Sequence, residues 1–199
     1  SVTPMQMATA YSVFANGGYR VNPVLIAKIT DARGKVLHQV ELKGPDESQR
    51  VIDARNAFVM DSLLQEVTRS GTAARAQATL KRPDVYGKTG TTNDSMDAWF
   101  AGFQRSLAAI VWIGYDNPRK LGDRETGGGL ALPVWIEYMQ QVLKGVPVAE
   151  PAVPEMVSVC FFASNFVFRP VSAFLMLLSF TTGVLVVVRE VTRETVDAL

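Results

Sequence analysis

An α+β fold, built as an antiparallel sheet with flanking helices and carrying a hydrophobic C-terminal tail, is what the 199-residue sequence predicts. Three observations point to it. Three consecutive strand-like runs are joined by very short connections, helical patterns lie before and after those runs rather than between them, and the last forty residues are nearly free of charge.

The elements follow in order along the chain. Thr3-Pro-Met-Gln6 has the form of a helix start, with Thr3 as cap, Pro4 at the first helical position and Gln6 placed to bond back to the cap. Asn16-Gly17-Gly18 should end that helix. Val24 to Thr30 and Lys35 to Leu42 alternate in polarity around Asp31-Ala-Arg-Gly34, the turn chemistry of a small decorating hairpin. Asp53 can cap a second helix reaching about Ser70, whose Ala57, Met60, Leu63, Leu64 and Val67 fall on one face and read as core.

The three strand runs are Val85 to Thr92, Ala98 to Phe103 and Leu107 to Tyr115, with turns at Asn93-Asp-Ser95 and Gln104-Arg-Ser106. Asn117 to Gly129 reads as a loop rich in charge and glycine. Pro133 to Lys144 reads as an amphipathic helix closed by Gly145, and Val146 to Pro154 as a Pro-rich linker.

Composition narrows the function classes. With 48% apolar and 20% charged residues the chain is globular in character. Twenty basic groups against 19 acidic ones leave a net charge of +1, so no global field favours nucleic acid as a partner. A single cysteine, Cys160, and a single histidine, His38, exclude a disulfide framework and the usual zinc sites. No metal or organic cofactor is indicated. A Ser-His-Asp triad would need His38, and its alternating surroundings make it a solvent-facing strand residue.

The chain divides into residues 1–145, a linker 146–159 and a tail 160–199. Beginning at Ser1 directly on a helix start, it reads as a piece of a longer chain. Pro170 to Val188 contains no charge and as a helix would span roughly 28 Å, enough for a bilayer core. Three readings fit this run: a membrane helix, a buried strand or helix of the globular part, and a non-native, out-of-frame or fused tail.

The letters that carry chemistry are Tyr86-Gly-Lys-Thr-Gly-Thr-Thr92, followed by Asp97-Ala-Trp-Phe-Ala-Gly-Phe103. Gly87-Lys88-Thr89 matches the end of a phosphate-binding P-loop, but that motif needs a glycine where this chain has Arg82, and Gly-Thr-Thr-Asn-Asp is a poor helix start. A plain structural reading also exists. An exposed Lys88 deters edge-to-edge aggregation, and Thr89, Thr91 and Thr92 are ordinary strand formers. Trp99, Phe100, Phe103, Trp112 and Trp135 read as packing residues, and Asp97 and Asp116 as turn residues rather than a carboxylate pair.

At these residues the chain resembles the transpeptidase domain of class A, bifunctional penicillin-binding proteins. The resemblance takes in Thr3 to Tyr19, Gly71-Thr-Ala73, Gly87 to Asn93, Asp97 to Phe103, Val111 to Asp116 and the Gly-rich stretch before Pro133-Val-Trp135, and it extends to about Val159. It implies a partial penicillin-binding/β-lactamase-like transpeptidase fold. Such proteins share Ser-x-x-Lys, a Ser-x-Asn type motif and Lys-Thr-Gly, and only the third is in this chain. The nucleophile is therefore absent.

The resemblance assigns Lys88 to stabilising the serine alkoxide, and Thr89 and Thr91 to binding a terminal carboxylate of a peptidoglycan stem peptide or a β-lactam. The N–H of Thr91 would be one oxyanion-hole donor, and Gly90 would allow close backbone approach. It further implies a five-stranded sheet whose first two strands lie upstream of Ser1. On that basis Leu107 to Tyr115 should have an unpaired outer edge, and one sheet face should lack covering helices. The expected activity is that of a D,D-transpeptidase fragment, inactive alone, at the periplasmic face of the bacterial inner membrane. The alternative is a non-enzymatic remnant, membrane-associated or binding another protein.

Overall fold

The structure, a computed structural model, describes residues 2–41, 44, 46–149, 153–154 and the strand 183–188. The first helix, α1 (Pro4–Ala15), starts as its sequence dictates. Thr3 Oγ1 accepts the N–H of Gln6 at 3.2 Å, and Gln6 Oε1 accepts that of Thr3 at 2.8 Å. Each bond satisfies a donor that the first helical turn leaves unpaired.

The decorating hairpin is present but shorter than its alternating runs. It consists of β1 (Lys28–Thr30) and β2 (Val36–Gln39), joined through Asp31, whose Oδ1 accepts the N–H groups of Arg33 and Lys35, both at 2.9 Å. Every residue of both strands is exposed, His38 included. Two strands with no packed face have little to hold a longer ladder together.

In α2 (Ala54–Arg69), capped by Asp53, the buried stripe differs from the expected one. Ala57, Asp61, Leu64 and Thr68 are buried, whereas Leu63 is 60% and Met60 40% exposed. Two polar side chains take core positions because Thr68 finds a partner there: its hydroxyl donates to the carbonyl of Val85 at 2.6 Å. A short helix, α3 (Arg75–Leu80), follows without having been anticipated, since six residues are too few to display a period.

The main sheet has the order β3-β4-β5-β6, comprising β3 (Tyr86–Thr91), β4 (Ala98–Gln104), β5 (Leu107–Ile113) and β6 (Gly183–Val188). The first three are antiparallel neighbours, as expected, with Lys88 opposite Ala101 and Trp99 opposite Trp112. Gly87 faces Gly102 across the ladder. A Cβ on Gly102 would lie 2.7 Å from the Phe100 ring and 2.8 Å from that of Trp135. The glycine thus makes room for an edge-on pair of aromatic rings 4.8 Å apart, the largest contact of the core.

Two expectations about the sheet are overturned. The outer edge of β5 is not open, because β6 pairs with it in parallel from Leu107 opposite Gly183 to Trp112 opposite Val188. Nor is a face left bare. Helix α4 (Leu132–Val142) lays Leu132, Trp135, Ile136 and Met139 against Phe100 and Val111, while α1 and Leu64 of α2 cover Tyr86, Phe103 and Ala108 on the other side. Ala8 of α1 packs with Ala101 and Ile110, where small side chains let the helix sit close to the strands.

Helix α4 begins earlier than expected, preceded by one wide helical turn, Gly127–Ala131, where the glycine-rich loop was anticipated to continue. Of the apolar run 170–188, residues 183–188 form a strand and residues 170–182 lie outside the described residues. Among the described residues no helix is long and apolar enough to cross a membrane.

Candidate active site

Strand β3 is the edge of the main sheet, with a neighbour on one side only among the described strands. Its burial changes along its length: Tyr86 and Gly87 are buried, Thr89 and Gly90 half-buried, Lys88 and Thr91 exposed. Lys88 thus lies at the surface of an extended strand, not inside a phosphate-gripping turn, and no helix follows it.

The base of the strand is held by a buried ion pair. Arg82 meets both carboxylate oxygens of Asp84 at 2.8 Å, with the Asp84 side chain 1% exposed. Asp84 also accepts from the Gln104 amide at 3.0 Å and from the N–H of Ala149 at 2.9 Å. Arg82 donates in turn to the carbonyls of Val146 and Pro147, so this pair ties the segment following α4 to the root of β3. Burial pushes the Asp84 carboxyl up, but Arg82, Ala149 and Gln104 outweigh it and hold it below the usual carboxylate range.

Deeper under α2, three polar atoms have no partner among the described residues: Asp61 Oδ1, the Tyr86 hydroxyl and Arg105 Nε. Burial raises the Asp61 carboxyl from 3.8 to about 7, with Arg105 opposing. Burial likewise raises the Tyr86 phenol.

At the exposed end the expected residues come together, with partners that the sequence did not reveal. The ammonium of Lys88 folds back onto its own strand, donating to the carbonyl of Thr89 at 2.8 Å and to Thr89 Oγ1 at 3.2 Å. It makes no ion pair among the described residues. Thr89 Oγ1 also lies 2.9 Å from Thr72 Oγ1, in the turn between α2 and α3. Thr91 Oγ1 accepts the N–H of Gly127 at 3.0 Å.

Gly127 is pressed so closely onto β3 that a Cβ there would fall 2.4 Å from the carbonyl oxygen of Gly90 and 2.2 Å from that of Trp99. Gly90 itself has Trp99 beside it, 3.2 Å from where its Cβ would stand. The space at Gly90 is therefore already limited within the fold, before any ligand is considered.

Asp97 ties the turn between β3 and β4, its N–H donating to Thr92 Oγ1 at 2.7 Å and its Oδ1 accepting from Trp112 Nε1 at 2.8 Å. Asp116 is exposed and apart from it. Phe100, Phe103 and Trp135 are fully buried, and Trp99 and Trp112 pack together half-buried, with ring centroids 5.9 Å apart. Among the described residues no cluster of His, Cys, Asp and Glu could hold a metal ion.

Sequence reasoning missed Arg82, Asp84, Thr72 and the bond from Gly127 to Thr91. An arginine and an aspartate two residues apart, directly ahead of an apolar strand, was the available signal for the first two. The other two depend on contacts between segments 17 and 36 residues apart, which no local pattern records.

Comparison with known proteins bears on this edge directly. Residues 1–140 match the family described as "Penicillin binding protein transpeptidase domain". "Penicillin-binding protein 1A" of Neisseria flavescens is 47% identical over 154 residues, covering 77% of this chain and 19% of that protein. The protein of the same name from Pseudomonas aeruginosa is 41% identical and covers 77% of this chain and 24% of its own length. The chain therefore spans about a fifth to a quarter of these relatives. Among solved structures, the penicillin-binding protein 1A of Haemophilus influenzae superimposes with a TM-score of 0.65 at 32% identity, over 77% of this chain and 28% of that one. PonA1 of Mycobacterium tuberculosis gives 0.61 at 25% identity, over 88% of this chain and 46% of that one.

Proposed function

Because the chain belongs to the penicillin-binding protein transpeptidase family, of whose domain it forms a part, we propose that it supplies the Lys-Thr-Gly wall of a serine D,D-transpeptidase cleft. The observation that carries this reading is the free edge of β3, where Lys88, Thr89 and Thr91 stand together outside the core.

In the complete enzyme a serine would attack the carbonyl of a D-Ala-D-Ala stem peptide, expel the terminal D-Ala and pass the acyl group to an amine. Lys88 would stabilise the alkoxide and the anionic end of the substrate, Thr89 and Thr91 would bind the carboxylate, and the N–H of Thr91 would supply one oxyanion donor. Gly90 lies between them, and its missing side chain would leave the strand edge open to a peptide backbone. No serine here is followed by lysine three places on, so the chain alone has no Ser-x-x-Lys nucleophile. The reading places the chain at the periplasmic face of the inner membrane and requires no cofactor.

A fluorescent penicillin tests this. The 199-residue chain alone should take up no covalent label, and a stoichiometric adduct would reveal a nucleophile not accounted for. Mixed with the upstream part of the transpeptidase domain of the Pseudomonas aeruginosa relative, the chain should restore labelling. Lys88→Ala should then abolish it, and labelling indifferent to that change would leave β3 without its assigned role.

A further inference from the structure

We infer that Thr72 is a positioning residue that turns the hydroxyl of Thr89 into a hydrogen-bond donor toward a bound carboxylate. The inference rests on the reading of β3 as the transpeptidase wall and adds to it a residue outside the Lys-Thr-Gly strand.

A hydroxyl has one proton and two lone pairs. Thr89 Oγ1 has two neighbours within hydrogen-bond distance, Lys88 Nζ at 3.2 Å and Thr72 Oγ1 at 2.9 Å. The ammonium can only donate. If Thr72 also donates, both lone pairs of Thr89 are filled and its own proton is left to point outward. Thr91 is arranged in the same sense, because its oxygen accepts the N–H of Gly127 and its proton stays free. Two hydroxyls two residues apart on an exposed edge then both present protons, which is what a carboxylate, an acceptor only, needs.

The turn that carries Thr72 is built to hold it there. A Cβ on Gly71 would lie 2.9 Å from Val67 Cα and 3.0 Å from its carbonyl oxygen, so the residue before Thr72 cannot carry a side chain without a backbone shift. The residue after it, Ala73, is fully buried and donates its N–H to the carbonyl of Val67 at 3.1 Å. With both neighbours fixed, the one exposed side chain of Gly71-Thr72-Ala73 is directed at β3. That triplet was part of the family resemblance, and no role for it follows from the sequence.

The complemented assembly described above tests this with two probes, a penicillin with a free carboxylate and its methyl ester. Thr72→Val keeps the shape and removes the hydroxyl. It should slow acylation by the free acid about fivefold to tenfold, the range of one lost hydrogen bond, and change the ester rate less than twofold. Thr72→Ser should stay within about twofold of the unsubstituted chain with both probes. An acid-to-ester ratio unchanged in Thr72→Val, or equal slowing of both probes, would overturn the inference while leaving the transpeptidase reading intact. An unsubstituted assembly that takes up no label would remove that reading and this one with it.

A second measurement needs no catalysis. In the isolated 199-residue chain, three-bond couplings should show the Thr89 side chain fixed in one rotamer, averaged in Thr72→Val and fixed again in Thr72→Ser. A Thr89 rotamer held equally well without the Thr72 hydroxyl would overturn the assignment.

Discussion

Where β3 begins, Val85 and Tyr86 are 0% and 2% exposed, and the strand is anchored by an aspartate whose oxygens are filled by an arginine, an amide and a backbone N–H. Two residues beyond Tyr86, Lys88 lies on the surface with its ammonium bonded only to its own strand among the described residues. The root spends its polar groups on tertiary contacts. The tip keeps hydroxyls and a cation at the surface, held by single bonds from neighbouring turns. A wall presenting charge and hydroxyls to a ligand needs such an arrangement, since rigidity supplied from the buried end leaves the other end exposed without loss of order.

Substitutions at the two ends should therefore differ widely in their effect on stability. Arg82→Ala strips the partner from a buried carboxylate, and chemical denaturation should show a loss of about 3–5 kcal/mol. A loss under 1 kcal/mol would mean that the root is not anchored by this pair. The sequence change is two residues from Asp84 and six from Lys88, so the contrast with the tip is direct.

Asp61 probes the same buried end with the opposite sign. Its folded pKa of about 7 lies above the unfolded value of 3.8, so the folded state holds the proton more tightly. Stability is greatest below about pH 4, declines as pH rises toward 7 and is level above that. The interval corresponds to as much as about 4 kcal/mol. Asp61→Asn should flatten this profile and raise stability at pH 8, and a profile unchanged by the substitution would show that the carboxyl is not the group responsible.

The smallest effect belongs to the tip. Lys88→Ala should alter the denaturation midpoint by no more than about 0.5 kcal/mol, because the side chain is exposed and its two bonds stay within its own strand. A loss comparable to that of Arg82→Ala would make Lys88 a structural residue and erase the distinction between the two ends.

Much of this was legible from residues alone. The cap at Thr3, the turn at Asp31, the helix start at Asp53 and the three strand runs are local devices, and each appears where its residues place it. The stripe on α2 was misjudged because hydrophobicity was taken as the guide to burial. Asp61 and Thr68 displaced Met60 and Leu63 from the core side, and the geometry of the sheet beside them decided it. The strand pairing with β5 was also beyond local reading, since its residues lie about seventy positions farther along the chain.

By itself the sequence determined which residues form helices and strands, that no disulfide framework is available, and that the Lys-Thr-Gly letters stand on a strand with no Ser-x-x-Lys beside them. These follow from periodicity, capping chemistry and composition, all properties of neighbours in the chain. Only the tertiary structure decided that Thr72 meets Thr89, that Gly127 meets Thr91 and that Arg82 and Asp84 clasp the segment after α4. Those bonds join residues far apart in sequence, and a hydrogen bond depends on distances of a few tenths of an ångström that only the packed core sets.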